Sequence, residues 1–388
     1  MKKIIIVNNN MKVGGVQKSL LNLLWELGDG YDVTLYLFCS LGSYTDQLPP
    51  WVQVKECKSL FRYLGISQGE CRGIQKLTRG LLALLCKLLG RDLVLKLMLL
   101  SQKPLPETYD CAISFLHNGG AKSFYGGVQE FVLSKINSRK KAAFLHCDYS
   151  GCGGNYPENN RKLASFDTIA ACSDGCRRAF LEVLPALEDK CVTVRNCHRF
   201  MQIRQLAQEE PVTYESGKIH VVMINRLSHE KGIDRAILAL KKALDAGVPA
   251  MLHILGGGGM EAQLRELVNS NRLEDSVRFY GEQTNPYRYL KNADLLLMTS
   301  YHEAAPLVIE EARHLGVPVM TTATTSSQEM VTDAGAGWVC ENSQTGIDRC
   351  LLEILRDPQS LKDKKTELTS CLPDNTQALG QFQHMIGL

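Results

Sequence analysis

Short apolar runs alternate with helical patterns along the whole chain, which is typical of an α/β fold with parallel sheets. In the first half, the predicted strands are Lys3–Val7, Asp32–Phe38, Cys111–Phe115, Ala142–His146, Thr168–Cys172 and Val192–Arg195. In the second half, they are Ile219–Ile224, Ala250–Leu255, Val277–Tyr280, Leu295–Thr299, Val317–Thr321 and Gly337–Cys340.

The two halves of this pattern are similar to each other. Each half opens with an apolar strand, continues through a polar turn that contains glycine, and enters an amphipathic helix. Two Rossmann-like domains that face each other across a cleft would produce such a repeat. We predict an N-terminal domain over residues 1–200 and a C-terminal domain over 201–372, with a weakly patterned linker at about 197–217. Residues 373–388 predict a final helix that packs back on the body.

Length, composition and net charge indicate a protein with two domains and give no sign of nucleic-acid binding or a membrane span. The chain has 388 residues, 45% of them hydrophobic, and a net charge of +3, which fits two α/β domains and gives no electrostatic indication of nucleic acid. No run reaches the length of about 18 apolar residues that a membrane span needs. The N-terminus lacks the cleavage site of a signal peptide. We therefore expect a cytoplasmic protein.

The 14 cysteines of a chain without an export signal are expected to be reduced thiols. Cys147, Cys152, Cys172 and Cys176 form the one cluster whose spacing resembles that of metal ligands. The CxxC pairs of a structural zinc site are missing, however. Small buried side chains at strand ends are the favoured interpretation of this cluster.

Residues 72–103 form a leucine-rich helical stretch that is strongly basic. Only Asp92 opposes seven positive residues, which are Arg72, Lys76, Arg79, Lys87, Arg91, Lys96 and Lys103. A basic amphipathic surface can lie on an anionic membrane. The alternative is an ordinary helix pair with solvated lysines. Because Leu81, Leu82, Leu84 and Leu85 are more apolar than one buried face requires, contact with the inner face of the plasma membrane is a hypothesis here.

Two carboxylates separated by seven residues carry the clearest chemical signal. Glu303 stands in a loop before Pro306, and Glu311 stands inside the helix that follows, where we expect it to face outward. The N-terminus of a helix attracts phosphate. Carboxylates accept hydrogen bonds from hydroxyl groups, so the arrangement suits a ligand with a sugar, a diphosphate and a ribose.

Three further loops follow predicted strands, where open α/β sheets bind ligands. They contain Gly14-Gly15, then Arg226 and Lys231, then Gly256–Gly259. Glycine lets the backbone approach a phosphate, and two cations neutralise a diphosphate. Each signal also has an ordinary structural explanation: turn geometry, surface ion pairs or a flexible loop. His146 ends a strand and, taken alone, is more typical of a structural residue.

Two absences from the sequence restrict the chemistry further. The GxGxxG fingerprint is missing, which disfavours NAD. No two aspartates stand two positions apart, so the DxD element that holds a metal on a nucleotide sugar is missing too. We therefore expect no metal and no cofactor. If the ligand is a nucleotide sugar, Arg226, Lys231 and the helix N-termini would stabilise its charge.

Together, these blocks resemble the family 4 retaining glycosyltransferases with the GT-B fold, also called glycosyl transferases group 1. The matching blocks are Asn225–Gly232, Leu255–Gly259, Phe279–Gly281, Tyr289–Thr299 and Ser300–Pro318, whereas the first half matches mainly at Gly14-Gly15 and His146. The resemblance implies a hexosyltransferase that moves a sugar, with retention of configuration, from a nucleotide diphosphate sugar. A UDP-sugar is expected from its frequency in the family. The implied acceptor is a glycan or lipid-linked oligosaccharide of bacterial surface polysaccharide biosynthesis, such as capsule or exopolysaccharide.

The resemblance also implies residue roles. Glu303 would contact the donor sugar at its reacting end, Glu311 the ribose, and His146 the reacting face of the sugar. Arg226 and Lys231 would bind the diphosphate and stabilise the leaving nucleotide. The remaining donor-binding residues would be Gly14, Gly15, Gly257, Gly258, Ala305, Pro306 and Leu307. Ala304, Ala305, Gly257 and Gly259 depart from the family pattern, and these departures concern donor identity more than fold.

Two other functions remain open at this point. A nucleotide-sugar 2-epimerase uses the same fold, and analysis of the products formed from donor alone would separate it from a transferase. A non-catalytic partner subunit would bind the donor without turnover. The joint presence of Arg226, Lys231, Glu303 and Glu311 argues against a dead site.

Overall fold

The structure, a computed structural model, describes residues 1–387. The chain divides into two compact units. Unit 1 contains Met1–His198 together with the C-terminal tail from Asn375, and unit 2 contains Arg199–Asp374.

Unit 1 contains a parallel sheet with seven strands in the described part of the chain. The strands are β1 (Lys3–Asn8), β2 (Asp32–Leu37), β3 (Gln53–Glu56), β4 (Thr108–Ser114), β5 (Asn137–Leu145), β6 (Thr168–Ala171) and β7 (Cys191–Thr193). Their order in the sheet is β3-β2-β1-β4-β5-β6-β7. In the register, Ile5 of β1 faces Thr34 of β2 on one side and Ala112 of β4 on the other. The direction of winding thus reverses between β1 and β4.

Helices cover the sheet of unit 1 on both faces. They are α1 (Gly15–Glu26), α2 (Ile74–Leu89), α3 (Arg91–Leu100), α4 (Val128–Lys135), α5 (Pro157–Ala164), α6 (Asp174–Val183) and α14 (Thr376–Met385), with 3-10 turns at Thr45–Gln47, Leu60–Leu64 and Pro185–Lys190. Ile4 and Ile6 pack in one layer with Phe382 of α14, and Ile5 packs in the other layer with Phe61. Because alternate residues of a strand point to opposite faces, a strand covered on both faces is a continuous apolar run.

Unit 2 repeats this design with the strand order β10-β9-β8-β11-β12-β13. Its strands are β8 (Ile219–Ile224), β9 (Ala250–Leu255), β10 (Val277–Gly281), β11 (Leu295–Met298), β12 (Val319–Thr322) and β13 (Gly337–Cys340). Its helices are α7 (Phe200–Gln208), α8 (Ile233–Asp245), α9 (Glu261–Ser270), α10 (Tyr287–Leu290), α11 (Leu307–His314), α12 (Gln344–Arg356) and α13 (Pro358–Ser370), with a 3-10 turn at His229–Lys231 and a π-helical turn at Gln328–Thr332. The strands pair in parallel, and the winding reverses between β8 and β11.

The structure differs from the sequence prediction in two elements. The predicted linker at about 197–217 contains α7, whose Ile203 and Ala207 are buried against Tyr287 of α10. Strand β3 was not predicted, because it lies at the edge of its sheet and its residues are mostly exposed, with Val54 42% exposed.

Helices α2 and α3 carry the basic, leucine-rich stretch. Leu82, Leu85 and Leu95 pack on the core of unit 1, and the outer leucines remain exposed. Arg91 does not belong to the basic surface, so this part of the prediction is wrong. Its side chain is 1% exposed, forms an ion pair with Glu130 at 3.1 Å and donates a hydrogen bond to a tyrosine hydroxyl at 2.8 Å. Within residues 1–387, no helix is both long and apolar enough to cross a bilayer.

Candidate functional site

The candidate site of unit 2 lies at the carboxyl ends of β8 and β11, where the winding of the sheet reverses. Open α/β sheets bind ligands at this kind of position. The loop after β11 is joined to the loop after β8 by two hydrogen bonds: the Tyr301 N–H donates to the Glu230 carbonyl at 2.9 Å, and Thr299 Oγ1 donates to the Gly232 carbonyl at 2.7 Å. Gly232 has φ +57°, and a Cβ there would lie 2.3 Å from the Thr299 oxygen. Glycine is therefore required for this close approach.

Lys231 and Glu303 form an ion pair between these two loops. Lys231 Nζ lies 2.6 Å from Glu303 Oε1, and the side chains are 24% and 10% exposed. The Ser300 hydroxyl donates to the same oxygen at 2.8 Å. Ser300 is fully buried. Two hydrogen bonds to one oxygen fix the orientation of the carboxylate at the edge of the sheet.

Ser300 is a residue that the sequence analysis did not identify. The signal was available, since a serine three residues before a loop glutamate is in reach of its carboxylate. The sequence analysis also did not identify Arg235 and Asn342, which hold the loop after β11 in place. Arg235 donates to the Thr299 carbonyl at 3.2 Å and to Asn342 Oδ1 at 2.8 Å, and its guanidinium lies 4.4 Å from the ring centroid of Tyr301.

The glycine-rich loop after β9 packs against the loop that carries Arg226. The Leu227 N–H donates to the Gly257 carbonyl at 2.9 Å, and the Met260 N–H donates to the Leu227 carbonyl at 3.1 Å. A Cβ at Gly258 would lie 2.3 Å from the Leu227 oxygen. Gly257 and Gly258 thus form a close-packed turn. This packing argues against the alternative interpretation, in which the glycines only make the loop flexible. Arg226 itself is exposed.

Helix α11 begins at this edge of the sheet. Pro306 is its N-cap residue, and no side chain caps the helix within the part of the chain that the structure describes. The preceding turn is anchored by the Ser326 hydroxyl, which donates to the Ala304 carbonyl. The backbone N–H groups of the first turn, which begins at Leu307 directly after Ala305-Pro306, are the groups that bind anions at helix ends.

Glu311 differs from the prediction. It was expected to face outward, and this prediction is wrong, because its side chain is only 2% exposed. Helix α11 contacts α7 and α13 as well as β12, so it is covered on more than one side. The ring of His314 on the same helix stacks on Phe200 of α7 at 4.6 Å between centroids. The helix that was predicted as a linker is thus one cause of this burial.

The other predicted residues belong to unit 1. Gly14 is the N-cap of α1, which starts at Gly15 shortly after β1. His146 directly follows β5, and its ring stacks on Phe144 at 5.2 Å and lies 4.6 Å from the ring of Phe115. Burial, with a smaller contribution from His117, lowers the pKa of His146 to about 3. The imidazole is therefore neutral at pH 7 and accepts or donates hydrogen bonds without carrying charge.

Comparison with known proteins finds matches to the part of the chain that contains these loops. Residues 206–367 match the family model described as Glycosyl transferases group 1. N-acetyl-alpha-D-glucosaminyl L-malate synthase of Bacillus anthracis is 30% identical over 156 residues, which are 40% of this chain and 40% of that protein. A GDP-mannose-dependent alpha-(1-6)-phosphatidylinositol dimannoside mannosyltransferase of Mycobacterium tuberculosis is 28% identical over 202 residues, which are 52% of each chain. The chain thus spans about half or less of the length of these relatives.

Solved structures extend the likeness to the whole chain. The crystal structure of Anabaena HepE in complex with UDP and glucose superposes with a TM-score of 0.67 over 100% of both chains, at 18% identity. At this identity the likeness shows the fold alone. The predicted α/β fold of the GT-B class, with two Rossmann-like domains, is confirmed. Residues 206–367, which match the model of glycosyl transferases group 1, contain the Lys231–Glu303 pair and the loops around it, so the likeness covers the candidate site.

Proposed function

We propose that this protein is a retaining glycosyltransferase that moves a sugar from a nucleotide diphosphate sugar to a glycan or lipid-linked acceptor. The observation that carries the proposal is the Lys231–Glu303 ion pair, with its 2.6 Å contact, at the reversal point of the unit 2 sheet. A carboxylate that is fixed there beside a cation and the start of α11 matches a ligand with hydroxyl groups on one side and a diphosphate on the other.

In the proposed reaction, the anomeric carbon of the sugar exchanges one oxygen partner for another. The bond to the donor phosphate breaks, the bond to the acceptor hydroxyl forms on the same face, and the acceptor proton passes to an oxygen of the leaving diphosphate. Arg226, Lys231 and the first-turn N–H groups of α11 would stabilise the negative charge that develops on the leaving group. The hydrogen bonds that Lys231 and Ser300 donate to Glu303 both go to Oε1. Oε2 would accept a hydrogen bond from a donor sugar hydroxyl.

We further propose a UDP-sugar as the donor, bacterial surface polysaccharide as the product, and a reaction that needs no metal. The complex of HepE with UDP and glucose supports the first part. The relative that depends on GDP-mannose makes a guanosine donor the main competitor. Metal independence is supported by the cations Arg226 and Lys231, which supply the positive charge that a metal would otherwise provide.

The test is thermal stabilisation of the full chain by UDP, GDP, ADP and their sugars, each with and without EDTA. A ligand that binds only the native state raises the melting temperature as it saturates the site. We expect uridine nucleotides alone to raise it, by the same increment with EDTA as without. Arg226→Ala should reduce the increment. A matched control is Arg356→Ala, an exposed arginine at the other end of unit 2 on α12. No increment with any nucleotide would contradict the proposal.

Helices α2 and α3 carry an exposed surface that bears on where the acceptor would be located. Their outward apolar residues are 48–83% exposed: Ile74, Leu77, Leu81, Leu84, Leu88, Leu89, Leu93, Leu97 and Leu100. Exposed lysines and arginines interleave with them, namely Arg72, Lys76, Lys87, Lys96 and Lys103. An apolar patch of this extent with a basic rim is complementary to an anionic bilayer. We propose that unit 1 binds the membrane surface here, where a lipid-linked acceptor would be located.

Vesicle sedimentation tests this surface. We expect the protein to sediment with anionic vesicles at low salt and to be released at high salt. Each basic residue near an anionic surface contributes about 1 kcal/mol to the binding free energy, and salt screens this contribution. Leu84→Glu with Leu88→Glu should abolish sedimentation. Met201→Glu is the control, because Met201 is 78% exposed and lies in unit 2. Equal sedimentation of the double variant and the control would refute a role for α2.

A further inference from the structure

Three potential metal ligands meet at the carboxyl edge of the unit 1 sheet. His117 follows β4, Cys147 follows the neighbouring β5, and Cys152 lies in the turn after Cys147. One ligand atom from each residue lies within 4.8 Å of the other two. The two Sγ atoms are 3.0 Å apart. A second thiol pair, Cys172 and Cys176, follows β6 with its Sγ atoms 3.8 Å apart.

His117 provides an independent observation. Its Nδ1 atom is buried and has no hydrogen-bond partner in residues 1–387. A buried polar atom without a hydrogen-bond partner destabilises the folded state. A cation that accepts the electron pair of this nitrogen would give the atom a partner and remove the destabilisation.

We infer that His117, Cys147 and Cys152 bind one borderline-soft divalent cation, of which Zn²⁺ is the type. Imidazole and thiolate are the ligands that Zn²⁺ prefers, and three protein ligands leave a fourth tetrahedral position for water. Binding converts two thiols to thiolates and releases their two protons to solvent. The sequence analysis interpreted these cysteines as small buried side chains, because the CxxC pairs of a zinc site are missing, and it did not connect His117 with the thiols.

The geometry requires a small adjustment on binding. Two thiolates at about 2.3 Å from one zinc ion lie about 3.8 Å apart in a tetrahedron, compared with 3.0 Å between these Sγ atoms. Cys152 lies in a turn closed by its own N–H, which donates to the Asp148 carbonyl at 2.9 Å, and a side-chain rotation there opens the distance. A Cys147–Cys152 disulfide would need an adjustment of similar size. It would leave His117 Nδ1 without a partner, so the metal explains more of the site.

The ion would act as a clamp beside His146. It would tie the turn that contains Cys152 to the ends of β4 and β5, and the His146 ring is packed on Phe115 directly after β4. The ion takes no part in the proposed sugar transfer. The site therefore stands or falls independently of the glycosyltransferase proposal, and its test measures metal content rather than activity.

The experiment uses the full chain, reduced and stripped of metal, and titrates it with Co²⁺ and then Zn²⁺. We expect about one Co²⁺ per chain, with the charge-transfer absorption of cobalt thiolate, and displacement of Co²⁺ by Zn²⁺. Zn²⁺ should also raise the melting temperature. Cys152→Ser and His117→Gln should each lower the affinity by at least about tenfold. Cys350→Ser is the control, since Cys350 pairs with Cys340 in unit 2 without a histidine nearby.

Each outcome decides the proposal. Stoichiometric binding that is lost in the two cluster variants and kept in the control supports it. Reduced wild-type protein that takes up no ion overturns it, as does uptake that neither cluster variant weakens. Loss of two titratable thiols in air, without metal uptake after reduction, would assign Cys147 and Cys152 as a redox pair instead.

Discussion

The replacement Glu303→Gln separates binding from chemistry in this site. Glutamine keeps the size of the side chain, and its amide oxygen still accepts bonds from Lys231 and Ser300, which lie 2.6 and 2.8 Å from Oε1. What is lost is the charge of a partly exposed ion pair, which contributes about 1 kcal/mol to stability. In a unit of this size, such a loss lowers the melting temperature by about 2–4 °C.

The effect on turnover should be much larger. A charged hydrogen bond that strengthens in the transition state contributes about 2.7–4 kcal/mol, so kcat should fall by about 10²–10³. Nucleotide affinity should be unchanged or slightly higher, because Lys231 loses a competing anion and is free for the diphosphate. A loss in kcat without a loss in affinity identifies an interaction confined to the transition state.

The assay combines calorimetric titration of the nucleotide with single-turnover transfer from a radiolabelled donor. Where no acceptor is known, nucleotide release by donor hydrolysis replaces transfer. Glu310→Gln is the matched control, since Glu310 on α11 forms a similar ion pair with Arg313 at 2.7 Å. It should reproduce the loss of stability and keep wild-type turnover. If the Glu303 variant turns over as fast as this control, the reacting end of the donor is not at Glu303.

Three further outcomes can be measured. Arg226→Ala should weaken nucleotide binding and turnover together, because the cation acts on the diphosphate in the ground state and in the transition state. Gly258→Ala should lower stability in urea unfolding by about 1–3 kcal/mol, because its methyl group meets a backbone oxygen at 2.3 Å, whereas Gly259→Ala meets nothing within 4 Å and should be neutral. Burial lowers the pKa of His253 to about 4, so its contribution to stability is present above the unfolded pKa near 6.5 and is lost as the pH falls toward 4. His253→Phe should flatten the pH dependence of unfolding over that window, and the exposed His302→Gln should not.

The sequence predicts the central strands well because their signal is local. Strand β8 coincides with the predicted range, and β1 differs from it by one residue. The location of Lys231 and Glu303 at one edge of the sheet also follows from local signals, since each residue stands in a loop after an apolar strand and parallel strands bring such loops to one edge. The ion pair between them was not predicted. The parallel pairing of β8 with β11 then brings the two loops next to each other.

The errors have a common physical cause in packing between distant segments. Glu311 is buried on α11, which contacts α7, and α7 was not recognised in a polar, weakly patterned stretch. Arg91 lies in a basic run of the sequence, yet its side chain is buried and forms an ion pair with the buried Glu130, with 3.1 Å between the nitrogen and the oxygen. His117 meets the thiols of Cys147 and Cys152 only through the pairing of β4 with β5. Spacing along the chain contains none of these relations.

The frame of the unit 2 site is built largely from backbone hydrogen bonds and glycines. The loops after β8, β9 and β11 are fastened to one another through main-chain groups such as those of Leu227, Gly232 and Tyr301. Ala304 takes part in this frame through its backbone carbonyl, which accepts a hydrogen bond from the Ser326 hydroxyl. Because every residue type has this carbonyl, we expect position 304 to tolerate other side chains while the supporting loops keep their positions. Among related sequences, variation at position 304 together with retention of Gly232 and Gly258 is the pattern that such a frame predicts.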